Sequence, residues 1–207
     1  MTKEEKVKDI LKRLRKIWPK PRTALEYKTP LELLVATILS AQATDKLVNT
    51  YTPELFKKFK TAKDYVNSAP SEIDKYISKI NFHQNKAKSI HGAAVMIVEK
   101  FKGKVPDNME DLDSLPGVAR KTANVVLGNA FKIAEGIVVD THVMRLSTNL
   151  GLTDKKDPEK IEKDLMEIVP KEDWIDFSHL LINVGREYYP ARIKDLNTGP
   201  LQGLFIK

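Results

Sequence analysis

The 207-residue chain contains no cysteine. Disulfides, thiolate metal sites and a cysteine nucleophile are therefore excluded from its chemistry. Histidine is sparse as well: His83, His91, His142 and His179 are the only four. No two of them stand in the HxxxH spacing of a zinc-binding helix, so no metal site is expected. Apolar runs long enough to span a bilayer are missing, and the charged start Met-Thr-Lys-Glu-Glu-Lys lacks the apolar core of a signal peptide. A cytoplasmic protein without a membrane partner is the expectation. There is no low-complexity tract and no repeat of fixed period. No segment alternates with period two over the length of a strand; Ile137-Val138-Val139 reads as a short apolar approach to a helix.

What remains is a basic, soluble composition, 42% hydrophobic and 30% charged, on a chain long enough for one large or two small domains. Thirty-five lysines and arginines against 28 acids leave a net charge of +7. That balance favours a polyanionic partner, most commonly nucleic acid, although solvated lysines on an ordinary surface would give the same sum. Helical spacing runs almost throughout. Val7, Ile10, Leu11, Leu14 and Ile17 line one face, opened by a capping box at Thr2 and Glu5 and stopped by Pro19 and Pro21. Thr29-Pro30-Leu-Glu32 repeats the start signal ahead of the apolar Leu33–Leu39. Further starts are expected at Asp45, Ser71, Asn108, Asp140 and Asp157, and Gln84–Phe101 reads as one long helix ended by Gly103 and Pro106. About ten short helices joined by tight polar turns imply an all-α protein.

The segment Leu115-Pro-Gly-Val-Ala-Arg-Lys121 carries the clearest chemistry. Pro116-Gly117 forces a tight turn, and a helix beginning near Ala119 turns its free N–H groups and positive dipole end outward. Such a hairpin can clamp a phosphate without reading sequence. Gly117, Val118, Ala119 and Arg120 are the candidate phosphate contacts. A Pro-Gly turn alone is more often an ordinary helical hairpin, and a lone exposed lysine such as Lys121 is usually solvated surface. Asp140, before Thr-His142, suits an N-cap, whose carboxylate can also face a cleft.

Leu115–Val126, reading LPGVARKTANVV, resembles the helix-hairpin-helix of DNA glycosylases of the endonuclease III family, and Val139–His142 resembles that family's VDTH. Ser40-Ala-Gln42-Ala-Thr-Asp45, Lys86-Ala87 and Gly185-Arg186 match in the same order, so the resemblance runs from about Pro30 to the C-terminus. It implies two all-helical domains with an interdomain cleft: a central bundle over 22–132 carrying the hairpin, and a second domain from 1–21 with 133–207. It implies a monomeric enzyme of base excision repair acting on damaged double-stranded DNA in the cytoplasm, at the nucleoid. By that resemblance Lys121 attacks the sugar C1′ and forms a Schiff base, and Asp140 is the assisting carboxylate. Gln42 fills the gap left by the flipped base, and Phe82 sits where the family carries an apolar wedge. Phe82 also suits a buried anchor for the following helix, and His142 suits either a DNA-backbone contact or a neighbour of the helix cap. Oxidised or ring-saturated pyrimidines are the expected substrates. The alternatives are mismatched thymine or uracil, pyrimidine dimers, and a non-catalytic DNA-binding module, which would need neither Asp140 nor the Gln42 segment.

The chain departs from the family in four places, one of them a loop between Phe131 and Asp140 that is one residue longer than the common pattern. Many members hold an iron–sulfur cluster with cysteines spaced C-x6-C-x2-C-x5-C; here those positions read Tyr189, Leu196, Gly199 and Phe205. No cluster and no other cofactor is expected, and Tyr189, Leu196 and Phe205 are expected to form a hydrophobic plug instead. The same loop carries Arg192 and Lys194, suited to touching DNA. Ala119 replaces the hairpin's second glycine, which is harmless only if the residue already starts the helix. Asn81 and His83 replace a usual glycine and tyrosine beside Phe82.

Overall fold

A computed structural model describes residues 1–193 and 195–206. Eleven α-helices and no strand are found among them: α1 Lys3–Ile17, α2 Pro30–Ser40, α3 Asp45–Lys58, α4 Ala62–Val66, α5 Pro70–Ile77, α6 His83–Phe101, α7 Met109–Asp113, α8 Arg120–Val126, α9 Thr141–Asn149, α10 Pro158–Ile168 and α11 Trp174–Glu187. A π-helical stretch, Leu127–Phe131, prolongs α8, and a short 3-10 turn, Lys171–Asp173, leads into α11. Among the described residues no helix is long and apolar enough to cross a membrane, and no cluster of histidines and acids could hold a metal ion.

The starts follow the local chemistry. Thr2 and Glu5 close a reciprocal capping box, and Thr29, Thr44, Asn108 and Asp157 each accept a first-turn amide. The expected start at Ser71 is corrected by one residue. Pro70 takes the first helical position of α5, where its fixed φ and missing N–H cost nothing, and Ala69 precedes it without a side-chain cap.

The chain divides into two units, Thr23–Ile133 and Met1–Arg22 with Ala134–Lys207, one residue beyond the boundaries expected from the sequence. The first unit is built around α2. Leu33 to Leu39 are all buried, so this helix is apolar on every side and packs against α3, α6 and α8. The second unit encloses a separate core, in which Val7, Ile10, Leu11 and Leu14 of α1 meet Phe177, Leu181 and Val184 of α11. Each such Leu or Ile contributes about 1.5–3 kcal/mol when fully buried. Polar contacts fix α1 there: Arg15 pairs with Asp173 at 2.6 Å and Asp176 at 2.8 Å, and Lys6 Nζ donates to Leu150 O at 2.6 Å. The N-terminal helix thus belongs with the C-terminal third of the chain.

Candidate active site

Gly117 occupies the third position of a tight turn with φ +77°, and the Val118 N–H closes it on Leu115 O at 3.0 Å. Proline second and glycine third with positive φ is the pattern of a type II turn. Space imposes glycine independently, because a Cβ there would lie 2.6 Å from Ser89 Cβ on α6. One turn on, Gly92 faces the Pro116 ring; a Cβ at Gly92 would meet Pro116 Cγ at 3.2 Å. The hairpin therefore lies directly on α6, seated by two small residues that the sequence reading did not single out. Their signal was small side chains at i and i+3 inside a long helix.

Ala119 follows with φ −112° and ψ 168°, an extended geometry open to any residue, and N-caps α8 without a side-chain bond. The missing second glycine thus leaves the turn intact. Val118 has a different place from the one expected. Its N–H is used by the turn and its side chain is buried, so it shapes the hairpin and has no donor to offer a phosphate. Arg120 and Lys121 occupy the first turn of α8, and Lys121 is exposed.

Asp140 belongs to the other unit. It caps α9, its Oδ1 accepting from His142 N at 2.8 Å and Val143 N at 2.9 Å. Both capping bonds end on one oxygen, and Oδ2 accepts no hydrogen bond among the described residues. The His142 ring lies against α11: a Cβ at Gly185 would stand 2.8 Å from its Nδ1. Burial pushes this imidazole below its ordinary pKa; Asp140 opposes that shift, and Arg186 and Arg145 add to it. His142 is half-buried and packs beside the α9 cap. Arg145, which the sequence reading passed over, lies 3.5 Å from His142 Nδ1 and donates to Tyr189 O at 2.6 Å.

Gln42 and Phe82 are exposed, Phe82 by 59%, so Phe82 is no buried anchor. Both have left-handed backbone, with φ 54° and 59°. Beside them Lys86 is buried, its amine donating to Leu39 O at 2.9 Å and Ala41 O at 2.5 Å, and burial lowers its pKa.

In the C-terminal loop Tyr189 is buried, donates to Thr198 O at 2.6 Å and accepts from Leu201 N at 2.9 Å. Its ring meets Phe205 edge-on with centroids 5.0 Å apart, and Leu196 packs on the same core. Gly199 has φ +80°, and a Cβ there would touch Tyr189 Oη at 3.0 Å. These groups offer no sulfur and do not fit a four-thiolate cluster. Arg192 is exposed on this loop, and Lys194 lies outside the described residues.

A model of the HhH-GPD superfamily of base excision DNA repair proteins matches residues 35–171. Endonuclease III of Synechocystis sp. is 50% identical over 191 residues, spanning 92% of this chain and 87% of that protein. The chain belongs to the endonuclease III family. Endonuclease III of Bacillus subtilis is 41% identical over 201 residues, spanning 97% of this chain and 91% of its own. A solved endonuclease III, trapped as a covalent intermediate with DNA, superposes with a TM-score of 0.92 at 38% identity, covering 99% of this chain and 96% of the other. Membership places the protein among the DNA glycosylase/AP lyases of base excision repair.

Proposed function

We propose that this member of the endonuclease III family removes oxidised or ring-saturated pyrimidines from duplex DNA and then nicks the strand, with Lys121 as nucleophile and without metal or cofactor. The observation that carries the reading is the placement of Lys121. It is an exposed amine in the first turn of a helix lacking a capping side chain, directly behind a turn that only glycine can make. A solved relative forms a covalent intermediate with DNA, which supports a covalent route.

A base stacked in a duplex is out of reach, so the nucleotide is turned out of the helix first. The neutral Lys121 amine attacks C1′, the bond from C1′ to the base breaks, and the base departs with the electron pair and takes up a proton. The amine then loses its own proton and the sugar ring opens, leaving an iminium between Nζ and C1′. Loss of a proton from C2′ expels the 3′ phosphate with the electrons of the C3′–O bond. Water finally hydrolyses the iminium and frees Lys121. Asp140 stabilises positive charge on the sugar and moves protons to and from the lysine.

The amides of Gly117, Ala119 and Arg120 face a phosphate at the start of α8. Gln42 fills the vacated space and Phe82 wedges between bases, replacing lost stacking. His142 acts at one remove, holding the start of α9 and with it Asp140. The enzyme works as a monomer on cytoplasmic, nucleoid DNA. Likeness to a thymine-DNA glycosylase, 23% identical with a TM-score of 0.79, bears on the fold alone and adds nothing for mismatched thymine.

Single-turnover excision on duplexes carrying thymine glycol, a G·T mismatch, a G·U mismatch or a thymine dimer tests the substrate assignment. Thymine glycol should be removed fastest. Faster release from either mismatch or from the dimer would overturn it.

A further inference from the structure

The last carbonyls of a helix have no partner within it and need donors from elsewhere. At the end of α2 Ser40 Oγ donates to Thr37 O and the Ala43 N–H to Ser40 O, while donors to Leu39 O, Ala41 O and Gln42 O come from one short stretch around the start of α6. Lys86 Nζ donates to Leu39 O at 2.9 Å and to Ala41 O at 2.5 Å, its positive charge also suiting the helix C-terminus. Asn81 Nδ2 donates to Gln42 O at 3.1 Å. The residue after Asn81 is Phe82, and the residue after that is tied down too, since His83 Nδ1 meets Asp74 Oδ1 of α5 at 2.5 Å. Phe82 is thus bracketed by two anchored side chains while its own ring stays in solvent.

The two ends joined by Asn81 share an unusual backbone. Gln42 and Phe82 lie at φ 54° and 59°, a region that residues with a Cβ enter only when their surroundings hold them there. A single side-chain bond connects one strained, exposed residue with the loop that presents the other.

We infer that Asn81 is a positioning residue that ties Gln42 to the loop presenting Phe82, so that the Gln42 side chain is aimed before DNA arrives. This rests on the reading of Gln42 and Phe82 as the groups that enter DNA. Without the Asn81 bond, the Gln42 backbone relaxes toward ordinary basins and must be reordered on binding, a cost that preorganisation avoids.

A double-mutant cycle with Asn81→Ala and Gln42→Ala tests the idea on a duplex holding one abasic site opposite 2-aminopurine. The single-turnover nicking rate and the fluorescence rise on unstacking are both read. Asn81→Ala should lower the rate about fivefold, the factor a net hydrogen bond is worth. In the Gln42→Ala background it should change the rate by less than about twofold, because its effect passes through Gln42. Asn81→Asp, which sets an acceptor against the carbonyl, should fall at least as far as Asn81→Ala. Melting temperatures should stay at the parent value, as the bond is exposed. An unchanged rate in Asn81→Ala, or losses that simply add, would overturn the positioning role while leaving Gln42 and Phe82 as inserting groups. If Gln42→Ala and Phe82→Ala both leave rate and fluorescence unchanged, the inserting roles fail and the positioning role with them.

Discussion

Gly117 carries two independent constraints, a left-handed φ of +77° and a Cβ position 2.6 Å from Ser89. Gly117→Ala should therefore destabilise the protein by roughly 2 kcal/mol in urea titration and weaken DNA binding, with backbone strain and displacement of α6 both contributing. The opposite exchange two residues on is a control. Ala119 sits at φ −112°, so Ala119→Gly should shift stability by no more than about 0.5 kcal/mol. His142 gives the pH dependence. Its folded pKa lies below the ordinary 6.5 because burial disfavours the imidazolium. Below pH 6.5 the unfolded chain binds the proton first, so the contribution is fully present above 6.5 and is lost as pH falls through the folded value. Urea midpoints at falling pH should drop more steeply for the parent than for His142→Gln, and an imidazole NMR titration should place the midpoint below 6.5.

Helix α9 separates two roles that one carboxylate combines. Asp140 caps the helix through Oδ1 alone. Asp140→Asn keeps an acceptor at that place and should retain near-parental stability while losing most glycosylase activity. Asp140→Ala loses the cap as well and should be less stable by about 1 kcal/mol. Equal activity in Asp140→Asn and the parent would leave the carboxylate as a cap and nothing more. The elements themselves were largely legible from the sequence, because their starts are written in single residues: Thr2, Thr29, Asn108, Asp140 and Asp157 each cap where expected. The hairpin was legible too, since Pro-Gly admits few turns. The seat beneath it was not. Ser89 and Gly92 matter through what passes close to them, and a small residue inside a helix does not announce its neighbour. The same holds for Asn81, whose one bond reaches the end of another helix.

At the scale of the molecule, each of the two units has its own core, and the chain leaves one for the other and returns. The return of the C-terminal part to α1 was legible only by resemblance, because contacts such as Arg15 with Asp173 join residues far apart in sequence. The C-terminal loop was partly legible: Tyr189, Leu196 and Phe205 at three of the four family positions suggested a plug. The tyrosine hydroxyl bridging Thr198 and Leu201 was not foreseeable, since a phenol's partners depend on how the loop folds over it. The central claim is that Lys121, on its uncapped helix, joins covalently to the sugar. Borohydride reduction during reaction with a duplex carrying one abasic site tests it most directly. The parent enzyme should give a stable protein–DNA adduct, its mass locating the link at Lys121, and Lys121→Gln should give none while still binding the duplex. An undiminished adduct in Lys121→Gln, or a link mapped to another lysine, would contradict the account.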